Sequence, residues 1–426
     1  MKRKIVITGI GLITPCGEGW APYWDAALRG RSSIRKFSGF GEDIFPVPFA
    51  GEIPGFNPEE YVKARKSLKV MSREIQMAVV ASHLALRDAD LSAGDYDKTR
   101  FGVSLGTGII NSDLDEMAAG IRCGFDEQGR FDMKKFGREG IRSFFPLWFL
   151  KYLPNMPACH ISIAHNLLGP SNTVTTSSAA GLQAVGEAFH VIQRGDAEIM
   201  LAGSTDSKLN AMGISRFHLL GLLSHHREDP GSAYCPFDRR RDGIVVGEGA
   251  GLILMEEYEH ARARGARIYG EIAGYGSSSD FNFNPSAKED YAGKRVAMSR
   301  ALEDARMDSS EVDLIVANGS GIPEEDVQEA LALQSVFGPS LDRKFVTGVK
   351  PITGHLIYGA GGVETAAGVL TLHESVVPPL ANLENPDPEC DLPFVTEKPK
   401  PFEGRAVLVN AFGFGGQNAA LVLKKP

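Results

Sequence analysis

The segment with the clearest chemical potential is a serine-rich turn near the middle of the chain. Residues 172–181 read NTVTTSSAAG, so β-branched residues typical of a strand run into small residues and then into a helical segment at 182–193. This pattern places Ser178 at or near a helix N-terminus, where free N–H groups and the helix dipole favour negative charge. A nucleophile there would be activated and an oxyanion could be held. The alternative, which this segment alone favours, is that Ser177 or Ser178 only caps the helix.

Short apolar strands and amphipathic helices alternate on both sides of this turn. Periodicity predicts buried strands at residues 5–13, 101–105, 199–201, 251–255, 314–317 and 406–409. Helical spacing is found at residues 72–89, 179–192, 292–305 and 363–373. The alternation predicts an α/β architecture in which helices cover the sheets. A charged helical stretch at 256–267 marks a soft boundary, so we expect two halves, 1–257 and 258–426, each with its own sheet.

The composition excludes several classes of protein. The chain has 426 residues, of which 43% are hydrophobic and 23% charged, as is ordinary for a soluble globular protein with a substantial core. Its 45 basic and 53 acidic residues give a net charge of -8, which argues against bulk binding of nucleic acid. Five scattered cysteines without a C-x-x-C pair fit a reducing compartment and predict neither a disulfide framework nor a metal site.

The first residues superficially resemble a signal peptide, because MKRK precedes an apolar stretch at 5–14. That stretch is β-branched, carries two threonines and two glycines and lacks an A-x-A-like cleavage site, so we interpret it as a core strand that ends in a turn at Pro15. Gly9-x-Gly11 lacks the third glycine and the helix start of a dinucleotide fingerprint, and we interpret it as a turn. No stretch approaches about 18 uninterrupted apolar residues, which predicts a cytoplasmic protein without a membrane span.

An insert at residues 111–157 differs in amino-acid composition from the rest of the chain. It is rich in charge and in large aromatic side chains: Phe125, Phe131, Phe136, Phe144, Phe145, Trp148 and Phe149. One interpretation is an irregular insertion that packs these rings into a satellite core. The other is a subunit interface or a cavity wall, where aromatic residues are enriched. The sequence leaves both open.

Three charged features need an interpretation. Lys63, Arg65, Lys66 and Lys69 form a first basic cluster, and residues 239–241 (RRR) form a second. Such runs are usually solvated surface, although a basic patch can also steer an acidic partner. Glu248, in VGEGAG, lies between two predicted strands, and we expect it to be paired structurally rather than catalytic.

Four further segments resemble one family in order and spacing. They are residues 236–251 (PFDRRRDGIVVGEGAG), 316–323 (VANGSGIP), 350–355 (KPITGH) and 410–418 (NAFGFGGQN). Together with the serine turn they resemble the β-ketoacyl-acyl-carrier-protein synthases, condensing enzymes of thiolase fold. The resemblance covers essentially the whole chain. It implies two similar βαβ-type halves in a layered α-β-α-β-α arrangement.

The resemblance also implies a degenerate catalytic site. The family uses a cysteine that carries the acyl chain as a thioester, two histidines that assist decarboxylation and stabilise the enolate, and a supporting lysine. Carried over position by position, the cysteine becomes Ser178 and the first histidine becomes Asn318. The lysine is retained as Lys350 and the second histidine as His355.

Substrate-binding positions carry over in the same way. The Phe-Gly-Phe-Gly-Gly loop is intact, and the resemblance implies that Phe412 or Phe414 gates the acyl tunnel. Tyr358 replaces a residue that is usually glycine and is expected to narrow the pocket. Ser320, in the loop that follows Asn318, is expected to contact substrate.

The departures from the family pattern argue against ordinary condensation by this chain alone. A cysteine thiol ionises near pH 8.5, within reach of a helix dipole worth about 1 kcal/mol, whereas a serine hydroxyl needs an adjacent base. Asparagine at position 318 can donate a hydrogen bond to an enolate oxygen but cannot exchange a proton near pH 7. Losing two groups that act as a unit is severely damaging in comparable catalytic sites.

Three interpretations remain at this point. The chain lacks the family's cysteine and first histidine, and in this it looks like the chain-length-factor subunits of type II polyketide synthases, which lack the nucleophile and pair with an active ketosynthase. The segments 317–323 (ANGSGIP) and 359–362 (GAGG) also look like those of such subunits. The chain would then shape a cavity that limits chain length, in polyketide or fatty acid synthesis. Because His355 and Lys350 persist, a second interpretation is a serine-dependent acyltransferase or malonyl-carrier-protein decarboxylase. A third is that Ser178 was introduced to trap a complex, which the simultaneous Asn318 disfavours.

The resemblance also implies the partners. They are a catalytic ketosynthase subunit or a second copy of this chain, and an acyl carrier protein that docks on the first basic cluster. No metal or organic cofactor is implied beyond the phosphopantetheine arm of the carrier, and no nucleic acid or membrane. The product class, the chain length and the choice between homodimer and heterodimer are not determined by the residues.

Overall fold

The strands and helices alternate along the whole chain. The structure is a computed structural model that describes residues 3–37, 39, 48–92, 94, 96–226, 228–280 and 291–426. Its principal strands are β1 (Ile5–Thr14), β2 (Phe101–Gly106), β3 (Ser171–Val174), β4 (Ile199–Ser207), β5 (Glu248–Glu257), β6 (Gly270–Ser279), β7 (Leu314–Val316), β8 (Phe345–Thr347), β9 (Ala406–Phe412) and β10 (Gln417–Lys424). Its principal helices are α1 (Trp20–Leu28), α2 (Arg73–Asp88), α3 (Leu114–Cys123), α4 (Met156–His165), α5 (Ala180–Arg194), α6 (Ala211–Leu219), α7 (Tyr258–Ala263), α8 (Ala292–Ala305), α9 (Pro323–Phe337) and α10 (Ala360–Glu374).

Two half-sheets repeat one order of pairings. In the first half, β1 pairs antiparallel with β5 and β5 antiparallel with β4, and then β4 and β2, and β2 and β3, pair in parallel. In the second half, β6, β10 and β9 pair antiparallel in that order, and β9, β7 and β8 pair in parallel. The halves join where residues 5–7 of β1 pair with residues 270–272 of β6. The internal similarity expected from the resemblance is therefore visible in the topology.

Helices fill three layers around these half-sheets. α5 and α10 lie between the halves, because α5 contacts β4, β2 and β10 while α10 contacts β5, β4 and β9. α2 and α4 cover the outer face of the first half, and α8 and α9 cover the outer face of the second. The predicted layered α-β-α-β-α arrangement is confirmed. Within the described part of the chain, no helix is both long and apolar enough to cross a membrane.

Most of the predicted elements are present. The helix predicted at 292–305 agrees with α8 at both ends, and those predicted at 72–89 and 363–373 correspond to α2 and α10. The strand predicted at 199–201 is the start of β4, which has nine residues in all. The charged stretch at 256–267 begins with the last two residues of β5, continues as the short helix α7 and ends in a loop before β6. The division at residues 257 and 258 stays a prediction.

Gly9 and Gly11 do not form the predicted turn. Both lie inside β1, against α2. A Cβ atom at Gly11 would lie 1.9 Å from the carbonyl oxygen of Ala81, and one at Gly9 would lie 2.4 Å from that of Ala85. The glycines are therefore needed because the helix backbone packs directly on the strand, where no side chain fits. The turn expected at Pro15 follows the end of β1.

Two charged residues are buried ion-pair partners. Glu248 accepts hydrogen bonds from the Nε and Nη2 of Arg73 at 2.6 and 2.5 Å, and from Ser207 Oγ at 2.8 Å, so the predicted structural pairing is confirmed. Arg241, in the second basic cluster, is buried and pairs with Asp326 at 3.4 Å and Asp387 at 2.7 Å. The second cluster is therefore not a uniform solvated surface, and Arg241 stabilises the interior.

Glu256, at the end of β5, gives a stability prediction with a defined pH window. Its carboxylate is fully buried and accepts hydrogen bonds from Arg264, His260 and Thr8. Burial opposes ionisation, but these hydrogen bonds lower the pKa of Glu256 to about 2 from its ordinary 4.5. A shift of that size corresponds to about 3 kcal/mol. Because the folded pKa is depressed, this stabilisation is present above pH 4.5 and is lost as the pH falls towards 2.

Glu256→Gln is therefore expected to lower the free energy of unfolding by about 3 kcal/mol at pH 7. The difference from the wild type is expected to become smaller as the pH falls from 4.5 to 3. Thermal unfolding of the wild type and the variant over this pH range measures this difference. Glu259→Gln, on the exposed face of α7, is the matched control and is expected to change stability little. Equal destabilisation by the two substitutions would contradict the prediction.

Candidate functional site

The serine-rich turn connects β3 to α5 through a single 3-10 turn, Ser177–Ala179. Ser177 adopts a left-handed backbone, with φ of 54°, which turns the chain sharply before the helix. Ser178 follows with 1% of its surface exposed, and its Oγ is buried without a hydrogen-bond partner among the described residues. α5 begins at Ala180 and no side chain caps it. The interpretation of either serine as a simple helix cap is therefore wrong.

The Phe-Gly-Phe-Gly-Gly loop lies against this turn. A Cβ atom at Gly413 would lie 3.1 Å from the Cβ of Ser177 and 3.4 Å from the backbone nitrogen of Ser178. Phe412 is buried at the end of β9, in the core beneath α8 and α9. Phe414 is only half-buried, and its ring centroid lies 5.4 Å from that of His355. The loop thus connects the serine turn to the retained histidine.

His355 is fully buried and held in one tautomer. Its Nδ1 accepts a hydrogen bond from the backbone N–H of Ile357 at 3.0 Å, so the proton lies on Nε2. Burial lowers the pKa of His355 well below its ordinary value, and the positive charge of Lys350 lowers it further. The imidazole is therefore neutral and presents an N–H donor. Its Nε2 has no partner in the described structure, so His355 and Ser178 do not form a hydrogen-bonded Ser–His pair.

Asn318 is oriented by two donors. Its Oδ1 accepts from Lys350 Nζ at 3.1 Å and from the backbone N–H of Phe412 at 3.2 Å. Since both partners are donors, the oxygen must face them and the NH2 group points the opposite way. The backbone N–H of Asn318 donates to Glu329 at 2.8 Å. The amide is thus a fixed hydrogen-bond donor with no capacity to accept a proton near neutral pH.

Lys350 links this asparagine to a buried carboxylate. Its ammonium contacts Glu364, the backbone oxygen of Asn318 and the Oδ1 of Asn318. The side chains of Lys350 and Glu364 are only 4% and 2% exposed. Burial raises the pKa of the Glu364 carboxyl, and the ammonium opposes this effect. The pair fixes the lysine in place, so that it supports Asn318 rather than extending towards the serine turn.

The loop after Asn318 depends on two carboxylates that the sequence analysis missed. Glu329 accepts from the backbone N–H groups of Asn318 and Gly319, each at 2.8 Å. Asp326 accepts from Gly321 N at 3.1 Å and from Ser320 Oγ at 3.3 Å. Burial raises the pKa of Asp326 to about 6, although Arg241 opposes the shift. The i, i+3 spacing of the two acids on one helix is the signal that could have identified them.

Ser320 is engaged within this loop. Its hydroxyl donates to Asp326 and accepts from the backbone N–H of Ile322 at 3.1 Å, and the residue is 1% exposed. Both hydrogen-bonding directions of the hydroxyl are therefore used internally. The contact of Ser320 with substrate stays a prediction. Such a contact requires this loop to rearrange.

Tyr358 occupies space beside the serine turn. Its ring packs on Gly108, where a Cβ atom would lie 2.2 Å from the ring. The buried Lys208 lies 5.2 Å from the ring centroid and forms an ion pair with Asp206, which also accepts from the backbone N–H of Tyr358 at 3.3 Å. The sequence analysis missed this buried pair, because nothing in the residues 206–208 distinguishes it from surface charge. The narrowing role of Tyr358 stays a prediction.

The aromatic insert both packs on itself and leaves an apolar surface. Phe144 stacks on Trp148 with centroids 5.0 Å apart, and Phe125 and Phe131 meet edge to face at 5.3 Å. Other side chains of the insert remain about half exposed: Ile141, Phe145, Leu147 and Phe149. The satellite cluster and an exposed apolar patch are therefore present together.

The carried-over residues meet at one place, apart from the first basic cluster. Gly413 lies on the serine turn, the backbone N–H of Phe412 donates to Asn318, and Phe414 packs on His355, so this one loop joins the carried-over positions. The side chains of the first basic cluster are exposed, three on the 3-10 helix Arg65–Val70 and Lys63 just before it, away from these contacts. Arg65 pairs with Glu59 at 3.5 Å.

Comparison with known proteins accounts for this arrangement. Residues 2–261 match the N-terminal domain of beta-ketoacyl synthases, and residues 269–384 match the C-terminal domain. The chain is 35% identical over 425 residues to 3-oxoacyl-[acyl-carrier-protein] synthase 2 of Staphylococcus aureus (strain N315), which covers 100% of this chain and 99% of the relative.

Two solved structures cover 100% of both chains. The ishigamide ketosynthase/chain length factor has a TM-score of 0.88 at 29% identity. A structure described as a type II PKS acyl-carrier protein in complex with its ketosynthase bound to the hexaketide has a TM-score of 0.82 at 30% identity. From the domain matches, the full-length identity and the thiolase-like fold, the chain belongs to the β-ketoacyl synthase family.

Proposed function

We propose that this chain is a chain-length-factor-type subunit that pairs with an active ketosynthase and does not condense acyl groups itself. The observation that carries the proposal is the state of Ser178. Its hydroxyl has no hydrogen-bond partner among the described residues, and neither has the Nε2 of His355. A serine without a base has no route to its alkoxide near neutral pH, since the helix dipole contributes only about 1 kcal/mol.

Asn318 supports the same function. The first histidine of the family pattern is replaced by an amide whose oxygen is held by Lys350 and Phe412. The site therefore keeps its hydrogen-bonded framework and loses the groups that exchange protons and carry the acyl chain. Such a framework suits a subunit that is retained for shape and assembly.

The exposed apolar patch of the insert supports a protein partner. The insert leaves half-exposed aliphatic and aromatic side chains, and β3 is an edge strand that pairs only with β2 in the described structure. Exposed apolar side chains and free strand edges are surfaces that proteins normally cover. We propose that a catalytic ketosynthase subunit covers the patch of the insert; a second copy of this chain is the alternative occupant.

The first basic cluster is proposed to dock the acyl carrier protein. Lys66 and Lys69 are exposed on a short 3-10 helix, and Lys63 is exposed just before it, in a chain whose net charge is -8. A local positive patch on an acidic protein favours encounter with an acidic partner. Phe414, half-buried against His355, is the better placed of the two loop phenylalanines to move when an acyl chain enters.

One observation favours a second function, decarboxylation of a malonyl group on the carrier. The Nε2–H of His355 and the NH2 of Asn318 are both donors, and donors are what an enolate oxygen requires. In that step the bond to the carboxylate breaks, carbon dioxide leaves, and the electron pair forms the enolate, which is then protonated to the acetyl thioester. This chemistry needs no covalent bond to Ser178.

Intact-protein mass spectrometry distinguishes the functions. The chain is incubated with acyl- and malonyl-carrier protein, alone and with a cysteine-bearing ketosynthase, beside a Ser178→Ala control. If the proposal is correct, the chain alone gains no mass and releases no carbon dioxide from the malonyl group. Acylation and carbon dioxide release then occur only when the cysteine-bearing ketosynthase is present. An adduct that disappears in Ser178→Ala would overturn it in favour of a serine acyltransferase. Carbon dioxide loss by the chain alone would establish the decarboxylase.

A further inference from the structure

A cavity lies on the side of the first half-sheet that is opposite to the serine turn. It is bounded by α2, α4 and the segment at 61–67, and encloses about 750 Å³. None of the carried-over catalytic residues lines it. α2 and α4 belong to the outer helical layer, whereas Ser178 precedes α5 in the central layer. The volume falls within the range of pockets that hold small molecules.

The cavity combines apolar walls with a positive rim. Its walls include Val62, Val79, Leu86 and Leu91, all buried, and its rim carries Lys63, Arg87 and Lys98. None of these three cations has an ion-pair partner within the described ranges, and the described lining contains no carboxylate. This is a concentration of positive charge in a chain with 53 acidic residues. The three cations therefore give this rim a locally positive charge.

Histidines provide polar groups inside the cavity. His165 donates from Nε2 to Ser82 Oγ at 2.7 Å, because that hydroxyl already donates to the carbonyl of Val79. The ring of His83 packs on that of His165 with centroids 4.3 Å apart. His160 is 6% exposed, and its Nε2 is buried without a hydrogen-bond partner in the described structure. His83, His160 and His165 therefore place imidazole groups in the otherwise largely apolar wall of the cavity.

We propose that this cavity, here called the α2–α4 cavity, binds a small carboxylate with an apolar tail. The tail occupies the space between Val79 and Leu86, and the carboxylate lies at the rim near Arg87 and Lys98. Neutral amphiphiles gain only the apolar contacts, and cations are repelled by the rim. The proposal is independent of the function proposed for the serine turn, because the two sites share no residue. Lys63 alone is common to the cavity and the first basic cluster.

Calorimetric titration of the full-length protein with octanoate, and with octanamide as its neutral analogue, tests the proposal. We expect saturable binding of one octanoate per chain and weaker binding of octanamide. Arg87→Gln and Lys98→Gln are each expected to weaken octanoate binding about two- to fivefold, as for an exposed charge contact, without affecting octanamide. Equal affinities for the two ligands, or no saturable binding of octanoate, would overturn the proposal.

A second variant locates the binding site. Ala164 is an exposed residue of α4 that lines the cavity, so Ala164→Trp fills the space without entering the core. It is expected to abolish binding of both ligands. Ala21→Trp, at an exposed position of α1 outside the cavity, is the matched control and is expected to bind as the wild type does. Octanoate binding that persists in Ala164→Trp would place the ligand elsewhere and overturn the proposal.

Discussion

Ser178→Cys is expected to let position 178 take an acyl group from acyl-carrier protein. The serine hydroxyl makes no hydrogen bond in the described structure, so the substitution removes no interaction. A thiol with a reference pKa of about 8.5, one turn before the start of α5, has an accessible thiolate where the hydroxyl has none. The thiolate attacks the acyl thioester, the carrier thiolate leaves, and a new thioester forms on the protein.

Intact mass after incubation with acyl-carrier protein measures this gain. The wild type is expected to stay unmodified and Ser178→Cys to gain the mass of one acyl group. Ser177→Cys is the matched control, because it lies in the same turn but its side chain packs on Gly413. A Ser178→Cys protein that stays unmodified while folded would mean that position 178 is not the acyl position. Modification of both cysteines would show general reactivity of the turn rather than a site.

The regular elements were largely predictable, because periodicity reports burial on one face. The helix at 292–305 was predicted at both ends, but β6, with the sequence GEIAGYGSSS, was missed. Its glycines explain the failure, since Cβ atoms at Gly274 and Gly276 would lie 2.4 and 2.2 Å from backbone oxygens of α8. The strand is glycine-rich because a helix packs directly on it, and this removes the β-branched residues that mark a strand.

The residues of the site could be identified from the resemblance of their motifs. Their spatial arrangement, protonation and hydrogen bonds could not. Asn318 and the segment 350–355 that carries Lys350 and His355 are distant in sequence from Ser178, and only the fold shows that the loop at 412–416 joins them to it. The tautomer of His355 depends on a backbone N–H two residues further along the chain. The absence of a Ser–His hydrogen bond depends on side-chain distances that no spacing in the sequence contains.

Breaking the buried pair between Lys350 and Glu364 is expected to destabilise the protein strongly. In Glu364→Gln the ammonium keeps the two oxygens of Asn318 as its hydrogen-bond acceptors among the described residues, in a region where neither side chain reaches solvent. Removing one partner of a buried ion pair typically costs about 3–5 kcal/mol, because the other charge is left uncompensated. Chemical unfolding compared with the wild type measures the loss.

Two comparisons test the physical reason for this loss. Asp25→Asn removes one partner of an exposed pair with Arg29, 2.8 Å apart, and is expected to change stability by less than about 1 kcal/mol. Lys350→Met combined with Glu364→Leu removes both charges and is expected to be less destabilising than Glu364→Gln alone. If Glu364→Gln were as stable as the wild type, the carboxyl would already be neutral in the folded protein. The pair nevertheless has a structural role in this site, because Lys350 holds the Oδ1 of Asn318, which also accepts from the backbone N–H of Phe412.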